Sequence, residues 1–233
     1  LDELADFNPE EKIIEYKLYG KERIGKLISM NLRAFANETA SESPAPGGGS
    51  IAAYVGALGI SLATMVANLS SHKKGWDERW KEFSDYAEKG QQLKDQLLKM
   101  VDADTNAFNQ IMNAFGLPKS NDDEKNARKK AIQDATLNAI NIPFKVMELS
   151  LESMATIKAM ADIGNPNSVS DAGVGALCAR TAVIGAFLNV KINAGGLSDK
   201  VMAANKIAAG EQLVAQAEKM EKEILDIVYN KIK

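Results

Sequence analysis

One carboxylate in this chain stands where carboxylates are seldom found. Leu93, Leu97, Met100, Val101, Phe108, Ile111 and Phe115 recur at helical spacing, and Asp104 falls in the middle of that apolar face. A carboxylate on a core face is either paired with a cation or pushed towards its neutral form, because burial disfavours the charge. The first case is an ion pair with a lysine of a neighbouring helix. The second is a general acid or base, whose pKa has to be shifted towards the working pH. Spacing alone leaves both open. Asp102 lies off the stripe and reads as solvated.

A second stretch, "SPAPGGGSIAAYVGALG" at residues 43–59, has the look of a phosphate cradle but lacks its parts: no lysine follows the glycines and no strand precedes them. It is equally unlike a flexible linker, since the glycines lead straight into the most apolar helix of the chain. Gly47, Gly48, Gly49 and Ser50 are therefore expected at a helix N-terminus, where free N–H groups and the helix dipole hold an anion or a carbonyl. Within that helix Ala52, Gly56, Gly59, Ala63 and Ala67 form a row of small residues. Such a row admits either another helix or a flat ligand. Gly175, Ala179, Ala182 and Ala186 form a similar row, ending in the carboxamides of Asn189 and Asn193. Buried asparagines must be satisfied by neighbouring helices or by a ligand with donors and acceptors of its own. Asp171, at the head of the same helix, extends the polar cluster. Lys73 and Lys74 read as a solvated loop or as contacts for an anionic ligand tail.

These residues need elements to position them, and the elements are helical. The pattern predicts an all-α chain, a bundle of long antiparallel helices joined by short loops. Ile51, Tyr54, Val55, Leu58, Leu62, Met65, Val66 and Leu69 give one helix its apolar stripe. A break follows near Lys73–Gly75. The helix carrying Asp104 ends at Gly116 and Pro118, and Asn121 or Asp122 caps the next, over residues 124–163, where Pro143 must kink the helix or start a new one. Two more helices are expected over 171–193 and 198–233, the latter capped by Ser198. At the other end, Asn8, Pro9, Glu10 and Glu11 read as a helix start, within a lead-in segment over 1–20 ahead of one helical domain over 21–233.

Composition excludes several classes. The 233 residues carry a net charge of −3 and a pI near 5.4, with no basic stripe, so nucleic acid is not expected as a partner. The run from 43 to 71 is uncharged and long enough to span a bilayer, yet its alanine, glycine and serine content suits a buried core helix, so no membrane partner is expected. One histidine, His72, rules out a Ser-His-Asp triad built with any other base and a histidine-rich metal site; it reads as a helix-end residue. Cys178 reads as a small buried residue. No signal peptide is recognisable and a cytoplasmic setting is expected.

Taken together, "SPAPGGGSIAAYVGALG", "DTNAFNQIMNAFGLPK" and "NSVSDAGVGALCARTAVIGAFLNVKIN" resemble the cyclodeaminase family. This family comprises formiminotetrahydrofolate cyclodeaminases, alone or as the C-terminal part of formiminotransferase-cyclodeaminase, and methenyltetrahydrofolate cyclohydrolases. The resemblance implies an all-α homodimer, in some members a higher oligomer or a fusion to a formiminotransferase domain. "FNPEEKIIEY" resembles the segment joining the two halves of the fused enzymes, which implies a detached domain. The resemblance further implies a tetrahydrofolate derivative as substrate, no metal or bound cofactor, and an ammonia-lyase of one-carbon metabolism and histidine degradation. Asp104 matches the family's D-x-x-A-F aspartate, which implies catalysis, and Gly47, Gly48, Gly49, Ser50, Asp171, Asn189 and Asn193 become substrate-binding candidates. The motifs do not separate cyclodeaminase from cyclohydrolase, and a helical dimerisation protein without catalysis is the rival from another class.

Overall fold

The structure, a computed structural model, describes residues 27–232. The lead-in segment 1–20 and the expected helix start at Asn8 lie outside these residues. Six α-helices follow in order: α1 Leu32–Thr39, α2 Gly48–Ser71, α3 Trp80–Phe115, α4 Asp122–Ile163, α5 Val169–Ala194 and α6 Lys200–Lys231. Two short 3₁₀ turns, Asp77–Arg79 and Pro166–Ser168, lead into α3 and α5. No strand occurs among the described residues, and the predicted all-α bundle is what the chain forms.

The helix ends follow local chemistry. Asn121 caps α4 by accepting from the Glu124 N–H at 2.9 Å, and α3 stops at Gly116. His72 closes α2, and Gly75 turns the chain with a positive φ of 86° that a side chain would resist. Two expectations need correction. The α6 cap is Asp199, which accepts from Met202 N–H at 2.9 Å, and not Ser198. Of the two alternatives for Pro143, the start of a new helix is overturned: it lies inside α4, Asp122–Ile163.

Helix α2 packs against α3, α4 and α5, and α5 also packs against α4 and α6. Ser50 lies beside Val101 and Gly90 beside Thr64, so α2 and α3 are antiparallel. Gly48 lies beside Asn189 and Gly59 beside Gly175, so α2 and α5 are antiparallel too. The contact is made through small residues. Ala52, Ala53, Gly56, Ala57, Gly59, Ala63 and Ala67 are buried. A Cβ on Gly59 would stand 2.9 Å from the Gly175 carbonyl oxygen and 3.0 Å from the Cys178 Cβ.

This packing turns the expected apolar stripe of α2 outwards. Ile60 and Val66 are buried, but Leu58, Met65 and Leu69 are exposed and Val55 and Leu62 only half-buried. A helix that buries its small residues leaves its large ones outside. Val174, Leu177 and Leu188 form a matching exposed stripe on α5. The two helices are antiparallel and each carries its stripe about a third of a turn from their seam in the same rotational sense, so both stripes emerge on the same side of the bundle. Cys178, in the seam between them, is half-buried. By length and composition α2 and the segment 166–194 pass for membrane spans, and their role as paired core helices accounts for that composition.

The seam makes a stability prediction. Gly59→Ala sets a methyl group against rigid backbone and should cost about 1–3 kcal/mol. Gly116→Ala meets only ordinary contacts, at 3.4 Å from the Asn113 carbonyl oxygen, and should stay within about 0.5 kcal/mol of the parent in urea unfolding.

Candidate active site

At the glycine end of α2 the chain closes around a cavity of about 130 Å³. Its wall brings together Gly47 and Gly48, Asp104 and Thr105 of α3, Ala139 of α4, and Asn189 and Asn193 of α5. The residue that makes this convergence possible is Gly49. A Cβ there would overlap the Asp104 carboxyl group, so only glycine lets the carboxyl lie against the first turn of the helix. The neighbouring glycines are less constrained: a Cβ on Gly48 would reach the Asn189 amide at 3.5 Å, an ordinary contact, and one on Gly47 would meet the Pro44 carbonyl oxygen at 3.8 Å.

Asp104 is half-buried, and no lysine or arginine of the described residues pairs with it. Loss of water pushes its pKa up. Hydrogen bonds from the Ser50 hydroxyl and the Ser50 backbone N–H oppose the rise without cancelling it. The ion-pair reading of this residue finds no partner among the described residues. Ser50 is wholly buried and its hydroxyl has three oxygens in reach: the Val101 carbonyl at 2.8 Å, Asp104 Oδ2 at 3.2 Å and Thr105 Oγ1 at 3.3 Å. One hydroxyl carries one proton. Donated to Asp104, it supports the carboxylate; donated to Val101, it leaves a lone pair for the protonated carboxyl to donate to. The same group thus accommodates both protonation states of Asp104.

Each of the two asparagines spends one of its two N–H groups on backbone. Asn189 Nδ2 donates to the Gly185 carbonyl at 3.0 Å and Asn193 Nδ2 to the Ala139 carbonyl at 2.8 Å. Their side-chain oxygens receive no donor among the described residues. Together with Asp104 they leave the cavity rich in acceptors, suited to a ligand that presents N–H groups.

Other expectations fall elsewhere. Asp171, at the start of α5, lies ~27 Å along the axis from Asn189, so this chain does not bring it to the cavity. Lys73 and Lys74 follow the far end of α2, ~36 Å from its glycines, and Lys73 Nζ stands over the Trp76 ring at 4.1 Å. Asp102 is not merely solvated: its Oδ1 accepts from Leu27 N–H at 2.8 Å and its Oδ2 from Ile28 N–H at 3.4 Å, anchoring the chain that enters α1. Phe108 and Phe115 leave the core stripe and are exposed, Phe108 as part of the cavity wall. Thr105 was missed, though its place beside Asp104 was the available signal.

Comparison with known proteins fits this arrangement. The Formiminotransferase-cyclodeaminase family profile matches residues 31–226. A methenyltetrahydrofolate cyclohydrolase of Methylorubrum extorquens is 37% identical over 86% of this chain and 97% of its own length. The formimidoyltransferase-cyclodeaminase of Rattus norvegicus is 36% identical over 86% of this chain, which spans only 37% of that protein. The crystal structure of a formiminotetrahydrofolate cyclodeaminase from Thermotoga maritima superposes with a TM-score of 0.77 at 26% identity, over 88% of this chain and 98% of that one.

The electrostatics of Asp104 predict a pH signature in stability. Its pKa is raised on folding, so between the unfolded and folded values the folded state binds more protons, and stability falls as pH rises through that window. Asp104→Asn removes this loss. The variant should fold, and its melting temperature relative to the parent should climb as pH rises through that window, as read by calorimetry at stepped pH.

Proposed function

We propose, from the premise that the chain belongs to the formiminotransferase-cyclodeaminase family, that it acts on a reduced folate as a formiminotetrahydrofolate cyclodeaminase. The observation carrying this reading is the desolvated Asp104 carboxyl held on the glycine turn of α2, facing the acceptor oxygens of Asn189 and Asn193. In 5-formiminotetrahydrofolate with its formimino nitrogen protonated, N10 attacks the formimino carbon carried by N5. A five-membered ring closes and a tetrahedral carbon forms, bearing an amino group. Loss of the N10 proton, protonation of the amino group and departure of ammonia leave 5,10-methenyltetrahydrofolate. The attack is intramolecular, so holding the folate folded supplies much of the rate.

What is left is one proton removed and one delivered, at positions close together. Asp104 takes the N10 proton and returns it to the departing nitrogen, with Ser50 exchanging its hydrogen bond between the two states. The Asn189 and Asn193 oxygens accept from N–H groups of the pterin or the formimino group. A second reading is favoured by the likeness to the Methylorubrum cyclohydrolase over nearly its full length. There water adds to the methenyl carbon and 10-formyltetrahydrofolate leaves, with Asp104 again moving the proton.

The same reading includes a homodimer. The outer face of α2 and α5 carries Leu58, Met65, Leu69, Val174, Leu177 and Leu188 and is free of charge along the α2 stripe. A large uncharged apolar face on one side of a bundle suits a second copy of itself, which presents no repulsion and covers both faces at once. Leu58→Glu with Leu177→Glu should convert the dimer to monomer in light scattering; an unchanged mass overturns this assembly.

The activity is tested by mixing the protein with 5-formiminotetrahydrofolate and following methenyltetrahydrofolate absorbance and ammonia together. Matched appearance of both supports the cyclodeaminase; turnover only of added methenyltetrahydrofolate transfers the site to the cyclohydrolase reading. Asp104→Asn should stay folded and lose about 10²–10⁴-fold in kcat. For the parent, the pH at which kcat/KM falls on the acid side should lie above the ordinary carboxylate range. Full turnover in a folded Asp104→Asn protein removes Asp104 from catalysis.

A further inference from the structure

Ser50 joins two groups of the cavity wall that do not meet by themselves. Asp104 and Thr105 are consecutive on α3, and consecutive side chains of a helix point about 100° apart. Both line the cavity, whereas Ser50, wholly buried in the first turn of α2, lies behind the wall. Its hydroxyl stands 3.2 Å from Asp104 Oδ2 and 3.3 Å from Thr105 Oγ1. The three oxygens form one chain whose two ends border the cavity and whose middle does not. Thr105 Oγ1 has no other hydrogen-bond partner among the described residues. It is also the only hydroxyl among the described residues that line the cavity.

Such a chain passes a proton without moving a heavy atom. With Asp104 charged, Ser50 donates to Oδ2 and Thr105 donates to Ser50, so the Thr105 oxygen presents lone pairs to the cavity. With Asp104 protonated, the carboxyl donates to Ser50 and Ser50 to Thr105, which leaves the Thr105 proton for the cavity. Reversing the chain thus turns a proton gained at Asp104 into a proton offered at Thr105. The Val101 carbonyl, 2.8 Å from the Ser50 hydroxyl, competes for its proton but carries none of its own, so it holds the chain at rest and cannot extend it. The carboxyl has little room to turn instead. It lies against the bare backbone of Gly49, closer than a Cβ there would permit, with Oδ2 towards Ser50. A proton accepted at one place on the wall and needed at another travels through the hydroxyls more directly than by rotation of the carboxyl.

We propose that Thr105 is the proton donor to the departing nitrogen, supplied by Asp104 through Ser50. This rests on the cyclodeaminase reading above, and the test separates the two. In the tetrahedral species the N10–H bond breaks, its electron pair stays on N10 and the proton goes to Asp104. Asp104 gives that proton to Ser50, Ser50 gives its own to Thr105, and Thr105 gives its own to the amino group. The carbon–nitrogen bond then breaks with its pair on ammonia, and a nitrogen lone pair of the ring closes the methenyl double bond. Asp104 is again a carboxylate and both hydroxyls are restored. Thr105→Val keeps the shape of the side chain and removes the hydroxyl, whereas Thr105→Ser keeps the hydroxyl. With 5-formiminotetrahydrofolate the valine variant should lose about 10²-fold in kcat with KM unchanged. The serine variant should retain most of the parent kcat. The pH at which kcat/KM falls on the acid side should stay in place in both, because Asp104 keeps its Ser50 partner. Should the valine variant not fold, Thr105→Ala is compared with Thr105→Ser in its stead. Full kcat in a folded variant without the hydroxyl, a loss confined to KM, an equal loss in the serine variant, or an acid limb that moves with the loss each overturns the relay and leaves the cyclodeaminase reading intact. A parent that does not turn over 5-formiminotetrahydrofolate overturns that reading, and the relay with it.

Discussion

Much of this fold depends on how closely other groups can approach the backbone of α2. Its buried half is mostly glycine, alanine and serine, with Ile60, Thr64 and Val66 the larger exceptions, and the glycine gaps are used by neighbours: Asp104 at Gly49, Ser150 and Ala182 at Gly56, the Gly175 carbonyl at Gly59. Glycines weaken a helix taken alone, by about 1 kcal/mol each relative to alanine. Here backbone-to-backbone contact recovers that loss through dispersion, and alanine and glycine lose almost no side-chain entropy on burial. The same choice of residues that brings α2, α3 and α5 together also makes room for a carboxyl group on the helix end. Packing and site share one cause.

The carboxyl on that helix end is under opposing influences. The first turn of α2 offers it an N–H group and the positive end of the dipole, both of which favour charge. Burial disfavours charge more strongly, and the net effect is a raised pKa. Asp104 lies between a fully solvated carboxyl and a fully desolvated one: burial raises its pKa, and the Ser50 hydrogen bonds offset part of the rise.

Much of this was legible in the residues, and the misses share a physical reason. Asp104 was found because a charge interrupted an apolar period, and Asn189 and Asn193 because carboxamides ended a row of small residues. Helical period shows which residues share a face; it does not show which face is inside when both are apolar. So the large residues of α2 read as core, while alanine and glycine occupy it and Leu58, Met65 and Leu69 are outside. The same ambiguity hid the exposure of Phe108 and Phe115. Asp171 failed for a different reason: sharing a helix with Asn189 says nothing about the length of helix that separates them. Asp102 was misread because its partners, Leu27 and Ile28, lie 75 and 74 residues away in sequence.

The two reactions considered for the site differ less than their names suggest. Both pass through a tetrahedral carbon bridging N5 and N10, which carries an amino group in one and a hydroxyl group in the other. Each needs one proton taken from and one returned to atoms a bond or two apart, which a single carboxyl of raised pKa can do. A cavity lined by acceptor oxygens suits the cationic methenyl bridge and the N–H groups of a formimino substituent alike. Selection between them must therefore reside in the immediate surroundings of the departing nitrogen or the entering water. The cavity wall beside Asp104 includes Thr105, Asn189 and the bare backbone of Gly48, and on the proposed reading these are the groups that would meet the exchanged atom. The glycine turn that admits the carboxyl at Gly49 thus also leaves the Gly48 side of the cavity without a side chain.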